Sequence, residues 1–337
     1  MARVRLVDVA ARVGVSAKTV SNVVHGTGMV SDAVRAKVLA AIDDLGYRPN
    51  LAARQLRSGT SGLVGLAIPD LREPYFAEFA SGFFTAAQRR GLTVLVSQTH
   101  GDRVAERRIS QGAGLPAVDG LVLSPLALTT QDLGERTSSI PLVLIGEHGE
   151  ALATERVPHV GIDNVAAARA ATEHLLDLGR SRVAVIGAQD HGSTATSRLR
   201  LAGYRAALEA AGVPFDPALV GAVTDFNRAE GSAAAERLLT SGTEFDGLFC
   251  FSDTLAFGAL YTLATHGVAI PEHVSVIGFD DIGEGRYSMP PFASVNVNSE
   301  GTAEHILDIF ADGAPSHSRL VEVAFTVLSA EARASRH

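Results

Sequence analysis

Two groups of side chains in this sequence have the types and spacing for recognition chemistry. The first lies near the N-terminus, where Lys18, Ser21, Asn22 and His25 recur at helical spacing and so share one face of a short helix. Ammonium, hydroxyl, amide and imidazole groups on one face can read donor and acceptor patterns along base-pair edges. The second group follows a series of short apolar runs: Asp70, Gln98 with Thr99, Ser124, Glu147, Asp190, Asp225, Ser252 with Asp253, and Asp280 with Asp281. Carboxylates and hydroxyls facing one crevice suit a polyhydroxylated ligand, since a carboxylate can accept from vicinal hydroxyls. Taken singly, each acid is more readily explained as a helix N-cap. Enzyme chemistry has little support. No Gly-x-Ser-x-Gly elbow, His-Glu-x-x-His helix, Gly-x-x-x-x-Gly-Lys loop or Cys/His metal spacing occurs, so neither catalysis nor a cofactor is expected. Asp280 and Asp281 could mimic a metal pair, but neighbours on an extended strand point to opposite faces.

The N-terminal group needs a scaffold of helices. Leu6, Val9, Ala10 and Val13 fall at i, i+3, i+4 and i+7, which predicts a short helix ended by Gly14. Ser16 is placed to cap a second helix from Ala17, with Val15 and Val20 as a hydrophobic staple and Val23 and Val24 also facing inward. A third helix, capped by Ser31, buries Val34, Val38, Ala41, Ile42 and Leu45 and stops at Gly46. Two short helices joined by a turn and braced by a third form a helix-turn-helix, whose second helix can enter a major groove. A generic three-helix bundle is the alternative, although its surface would more often show Glu or Lys where this face has Ser and Asn.

Charge follows the same division. The chain has a net charge of −8, yet residues 1–60 hold nine basic side chains against four acids. A basic head on an acidic body is expected when only the head meets a polyanion. The single cysteine, Cys250, excludes an intramolecular disulfide and fits a reducing compartment. No apolar run is long enough for a membrane span and the first residues lack a signal-peptide core, so a soluble cytoplasmic protein is expected.

From Leu63 onward, short apolar runs alternate with helical stretches. Strands are predicted at 63–68, 92–97, 120–123, 142–145, 183–186, 220–223, 248–251 and 274–279, with helices at 75–88, 165–178, 201–211 and 255–266. Such alternation means parallel sheets covered on both faces, and about eight strands suit two doubly wound lobes. Ligands of such sheets bind outside the carboxyl ends of the strands, which is where the second group of residues lies.

The strings Leu6-Val7-Asp8-Val9-Ala10, Gly14-Val15-Ser16 to Thr19-Val20-Ser21, and Leu45-Gly46-Tyr47-Arg48-Pro49-Asn50 resemble the DNA-binding domain of LacI/GalR-type repressors. Later motifs extend the resemblance across nearly the whole chain: Pro69-Asp70 with Pro74-Tyr75-Phe76, Val118-Asp119-Gly120, Arg198 to Tyr204, Phe251-Ser252-Asp253 and Val276 to Asp281. It implies that Ala17, Lys18 and Asn22 discriminate operator bases, that Thr19 and Ser21 touch phosphate or neighbouring bases, and that His25 stands at the end of the recognition helix. It further implies a hinge helix over Asn50–Arg57, including Ala53 and Arg54, with Leu56 wedged into the minor groove. A plain inter-domain linker would not explain an apolar Leu56 between Arg54 and Arg57. A helix of two turns is marginal in water unless something packs on it.

For the core, the resemblance implies a periplasmic-binding-protein-like fold with the effector between the lobes. Arg200 would clamp that effector, Asp280 would accept from it, and Ser252, Ser124 and Tyr75 or Phe76 would line the cleft. Asp70, Thr99, Asp253 and Phe226 complete the expected contacts. With no tryptophan in the chain, a stacking platform for a sugar ring must come from Tyr75, Phe76 or Phe226. The expected organisation is a helix-turn-helix domain over 1–48, a hinge and linker over 49–61, and an effector-binding and dimerisation core over 62–337. Within that core, an N-lobe of about 62–161 plus 294–324 faces a C-lobe of about 162–293 plus 325–337. The expected partners are double-stranded operator DNA, a small-molecule effector such as a sugar, and a second copy of the chain, since a palindromic operator needs at least a dimer. A stand-alone ligand-binding protein of the same core fold is the rival reading.

Overall fold

The valine and alanine spacing of the first fifty residues produces three helices, α1 (Leu6–Val13), α2 (Ala17–His25) and α3 (Asp32–Leu45). In the computed structural model, which describes residues 4–25, 28–47, 60–189, 194–312 and 319–335, the chain divides into two compact units, 1–61 and 62–337. In the first unit Val9, Val20 and Val38 are fully buried and meet Ala10, Val23 and Ala41 in a small core. Gly14 ends α1 in the left-handed region at φ 72°, returning its amide to the Ala10 carbonyl, a conformation that glycine adopts without a Cβ clash. Ser16 caps α2, its Oγ accepting from the Thr19 amide at 3.1 Å. Ser31 holds the cap position of α3 but makes no side-chain capping bond; its backbone carbonyl accepts from the Val34 and Arg35 amides instead.

The second unit contains two six-stranded sheets. One has the order β11-β5-β4-β3-β1-β2, built from β1 (Leu63–Ile68), β2 (Thr93–Gln98), β3 (Gly120–Leu123), β4 (Leu142–Leu144), β5 (His159–Gly161) and β11 (Leu320–Glu322). The other has the order β12-β10-β9-β8-β6-β7, built from β6 (Val183–Ala188), β7 (Val220–Ala222), β8 (Gly247–Cys250), β9 (Ser275–Asp280), β10 (Ala293–Asn296) and β12 (Thr326–Leu328). All pairings are parallel except β10 with β12. β1, β3, β4, β6 and β8 are buried throughout, as strands covered on both faces must be.

Each sheet changes winding direction beside its first strand, β1 or β6. Crevices therefore open at the carboxyl ends of those strands. The chain passes between lobes three times: after β5 into the helix Asn164–Asp177, after β10 into the helix Ser299–Asp312, and between β11 and β12. The segment 294–298 was expected to belong to the N-lobe. Its strand pairs with β9, so the return crossing comes after Asn296, because Ala293–Asn296 completes the hydrogen-bond ladder of the second sheet. The returning helix then lies on the helix Pro74–Arg89, fastened by Arg89 and Arg90 to Glu304 and by Arg90 to Asp308.

Candidate functional site

α2 presents its polar side chains on the face opposite Val20 and Val23. Lys18 is exposed, and Ala17, Thr19, Ser21 and Asn22 are half-buried. The Thr19 hydroxyl lies 2.9 Å from Ser16 Oγ, so it belongs to the helix cap as well as to the outer face. Asn22 lies against Gly28, where a Cβ would come within 2.7 Å of its Nδ2. The side chain of His25 and the whole of Asn50, Ala53, Arg54 and Leu56 lie outside the described residues.

In the second unit, a cavity of about 430 Å³ opens at the carboxyl ends of both sheets. Tyr75 and Phe76 enter it from the first turn of the helix Pro74–Arg89, Ser124 from the loop after β3, and Glu147 and His148 from the start of the helix Gly146–Leu152 that follows β4. The opposite lobe contributes Gln189 after β6, Arg198 and Arg200 from the helix Ala195–Ala210, Phe226 after β7, Ser252 after β8, and Asp280 at the end of β9. The expected helix began at Leu201. It begins six residues earlier, where the Thr194 hydroxyl accepts from the Ser197 amide, and this places Arg200 inside the helix.

Arg200 is 5% exposed and every edge of its guanidinium is engaged. Nε donates to Asn164 Oδ1 at 3.1 Å, Nη1 to the Phe251 carbonyl, and Nη2 to Glu147 Oε1 at 2.6 Å. Asp280 Oδ1 lies 3.7 Å from Nη1, and the guanidinium carbon sits 3.6 Å from the centre of the Phe279 ring. The helix approaches its neighbour Asn164–Asp177 so closely that a Cβ on Gly203 would meet the Val165 carbonyl oxygen at 2.3 Å. That approach sets how deep Arg200 sits.

One guanidinium thus serves two carboxylates unequally. Burial alone would raise the Glu147 carboxyl, but Arg200 and the Thr196 hydroxyl more than offset it and hold it below its ordinary value. Burial raises the Asp280 carboxyl well above its ordinary value despite Arg200. Burial likewise raises the Tyr75 hydroxyl, with Glu147 and Asp280 adding to the effect, so the phenol remains a donor at neutral pH. The cleft offers the Asp280 carboxyl alongside the hydroxyls of Ser124, Ser252 and Tyr75. Phe76 and Phe226 supply apolar surface. Both arginines on its lining already have partners.

Seven of the expected contact residues, Tyr75, Phe76, Ser124, Arg200, Phe226, Ser252 and Asp280, meet at this cavity. Three others do not line it. Asp70 faces its own loop, where Arg72 Nη2 donates to it at 2.7 Å and holds its carboxyl down at about 2. Thr99 is buried at the end of β2 with its hydroxyl directed to the Ile68 carbonyl at 3.4 Å. Asp253 is fully buried behind the cleft, accepting from Ser294 Oγ at 2.7 Å, from the Ile282 amide at 2.9 Å and from Arg333. Glu73, His148, Gln189, Thr196 and Arg198 join the lining without having been singled out as contacts, and Glu147 and Asp225 were visible only as acids after strands. Asp190 lies outside the described residues.

Comparison with known proteins gives two family matches. Residues 5–50 match the bacterial regulatory proteins of the lacI family, and residues 61–320 match the periplasmic binding proteins and sugar binding domain of the LacI family. The HTH-type transcriptional repressor PurR of Photobacterium profundum is 31% identical over 292 residues, covering 86% of this chain and 85% of that protein. The ribose operon repressor of Halalkalibacterium halodurans is 33% identical over 288 residues, covering 86% and 83%. A solved structure of the transcriptional regulator CelR in complex with cellobiose is 31% identical, covers 97% of this chain and 98% of that one, and superposes with a TM-score of 0.67.

Proposed function

This chain belongs to the LacI family of bacterial DNA-binding transcriptional regulators, and from that membership we propose that it is a homodimeric repressor whose operator affinity is set by an uncharged carbohydrate bound between the lobes of its core. The observation behind this reading is the cleft itself: about 430 Å³, lined by hydroxyls, carboxyls and aromatic rings, with Arg200 bonded to its own lobe and to Glu147 of the other. That volume falls in the range of small-molecule sites of about 300–1,000 Å³. Two relatives lend chemical direction, one solved with cellobiose and one named for a ribose operon.

On the DNA side, Ala17, Lys18 and Asn22 are assigned to base edges, Thr19, Ser21 and His25 to flanking bases or phosphate, and Asn50, Ala53, Arg54 and Leu56 to the hinge. Operator sites for such heads are two-fold, which requires two copies of the chain. The test has two arms. Thermal-shift titration with D-ribose, cellobiose and other neutral sugars should find a stabilising ligand, and that ligand should change operator binding measured by fluorescence anisotropy. A ligand that stabilises the protein without changing operator affinity would argue instead for a stand-alone binding role of the core.

A further inference from the structure

Behind the cleft, the last described helix, Ala330–Ala334, inserts Arg333 into the second lobe, where the side chain is 1% exposed. Nε donates to Asp281 Oδ1 at 2.8 Å, and Nη2 donates to Asp253 and to the Ile282 carbonyl at 3.0 Å. The guanidinium carbon lies 4.4 Å from the centre of the Phe292 ring. Gly285 also packs against it, and a Cβ there would stand within about 2 Å of the guanidinium.

The segment these contacts hold is unusual. Asp280 and Asp281 are consecutive non-glycine residues at φ 99° and 52°, a region that side-chain-bearing residues avoid unless their surroundings over-determine it. The two carboxylates go opposite ways, Asp280 to Arg200 in the cleft and Asp281 to Arg333 behind it. Side chains also hold the three amides that follow. Asp281 donates to Ser294 Oγ at 3.1 Å, Ile282 to Asp253 at 2.9 Å, and Gly283 to Glu78 at 2.6 Å.

The geometry points to Arg333 as a positioning residue for the ligand cleft: by clamping Asp281 and Asp253 it holds the strained turn that presents Asp280. Arg333 is not among the residues lining the cavity and acts through Asp281. Calling that cavity the ligand site rests on the proposed function, whereas the clamp on the turn does not.

Hydrogen exchange on the full-length protein tests the clamp without any ligand. In Arg333→Met, amides of Asp281, Ile282 and Gly283 should exchange at least about tenfold faster, while those of β6 and β8 remain within about twofold of wild type. Arg333→Lys keeps a charge but not the two-sided fork, and should fall between the two. Gly285→Ala provides a second route, since its methyl displaces the guanidinium without removing it, and should give the same local pattern. Unchanged exchange at the turn in either folded variant, or a uniform rise across the lobe, would overturn the assignment. Cellobiose titration adds a second readout, with an affinity loss of about tenfold in Arg333→Met and partial recovery in Arg333→Lys. If wild type does not bind cellobiose, that result bears on the choice of sugar, and the exchange pattern still decides the clamp.

Discussion

Arg200 is paired with Glu147 and lies beside Asp280, so its removal has a cost separate from any loss of ligand contact. Arg200→Ala leaves Glu147 and Asp280 without their guanidinium in a buried setting. Breaking a buried pair by removing one partner costs about 3–5 kcal/mol. The double variant Arg200→Ala/Glu147→Gln should recover part of that loss, which urea midpoints can measure; a double variant no more stable than the single would show that Glu147 is not the stranded charge. His159 offers a pH test. Burial holds its imidazole below the ordinary 6.5 although the Gly146 carbonyl, 3.0 Å from Nε2, favours the protonated form. The unfolded chain therefore takes up the proton first. His159 contributes full stability above about pH 6.5 and loses it as pH falls toward the lower folded value. Thermal midpoints should decline from about pH 7 to about pH 5, and His159→Gln should decline less. Parallel declines would assign the effect to other groups.

At the scale of elements, the reading helix depends on what holds its two ends. The Ser16 cap is worth about 1 kcal/mol, so Ser16→Ala should destabilise the head by that much. Gly28 matters for a different reason. Its φ of 73° and its contact with Asn22 mean that Gly28→Ala both strains the backbone and pushes the amide aside. A correctly placed bidentate amide is worth about 1–3 kcal/mol of base discrimination. Gly28→Ala should therefore relax base preference at the same operator position as Asn22→Ala and leave the preference set by Lys18 in place. A binding selection over randomised half-sites makes the comparison, and distinct positions for the two variants would remove Gly28 from the reading apparatus.

Among the described residues of the core, polar links join the lobes: Glu147 to Arg200 and to the Thr196 hydroxyl, Glu73 to the Thr254 hydroxyl at 2.6 Å, and Glu78 to the Gly283 amide at 2.6 Å. They hold the cleft as it stands. A ligand can shift operator affinity only by its difference in affinity between two arrangements, typically 1–3 kcal/mol or about 5- to 150-fold. Thr254→Val removes the link from Glu73 of the cavity lining by changing a residue that does not itself line the cavity. A net hydrogen bond of about 0.5–1.5 kcal/mol then predicts a ligand midpoint weaker by about two- to tenfold, with the full response retained at saturation. Operator-binding titrations at several ligand concentrations check this, and an unchanged midpoint would mean that the Glu73 link exists equally in both states.

The three helices of the head, the glycine stops of α1 and α3 and eight of the strands were legible in the sequence because apolar periodicity is local information, carried by residues within one or two turns. The four remaining strands, β5, β10, β11 and β12, are three or four residues long and show no period of their own. Only their neighbours in the sheet make them strands, which is why the return crossing was placed at Ser294 instead of after Asn296. The cleft divides in the same way. That acids and hydroxyls follow the strands, Asp280 among them, was readable, and Arg200 and the role given to Asp280 came from motif resemblance. Which acids face the cavity was decided by partners far along the chain. Arg333, 80 positions from Asp253, draws that carboxylate inward, and Glu147, 53 positions before Arg200, takes the guanidinium that would otherwise be open to a ligand. A buried charge must find its counter-charge wherever the fold brings one, and tertiary packing alone makes that choice.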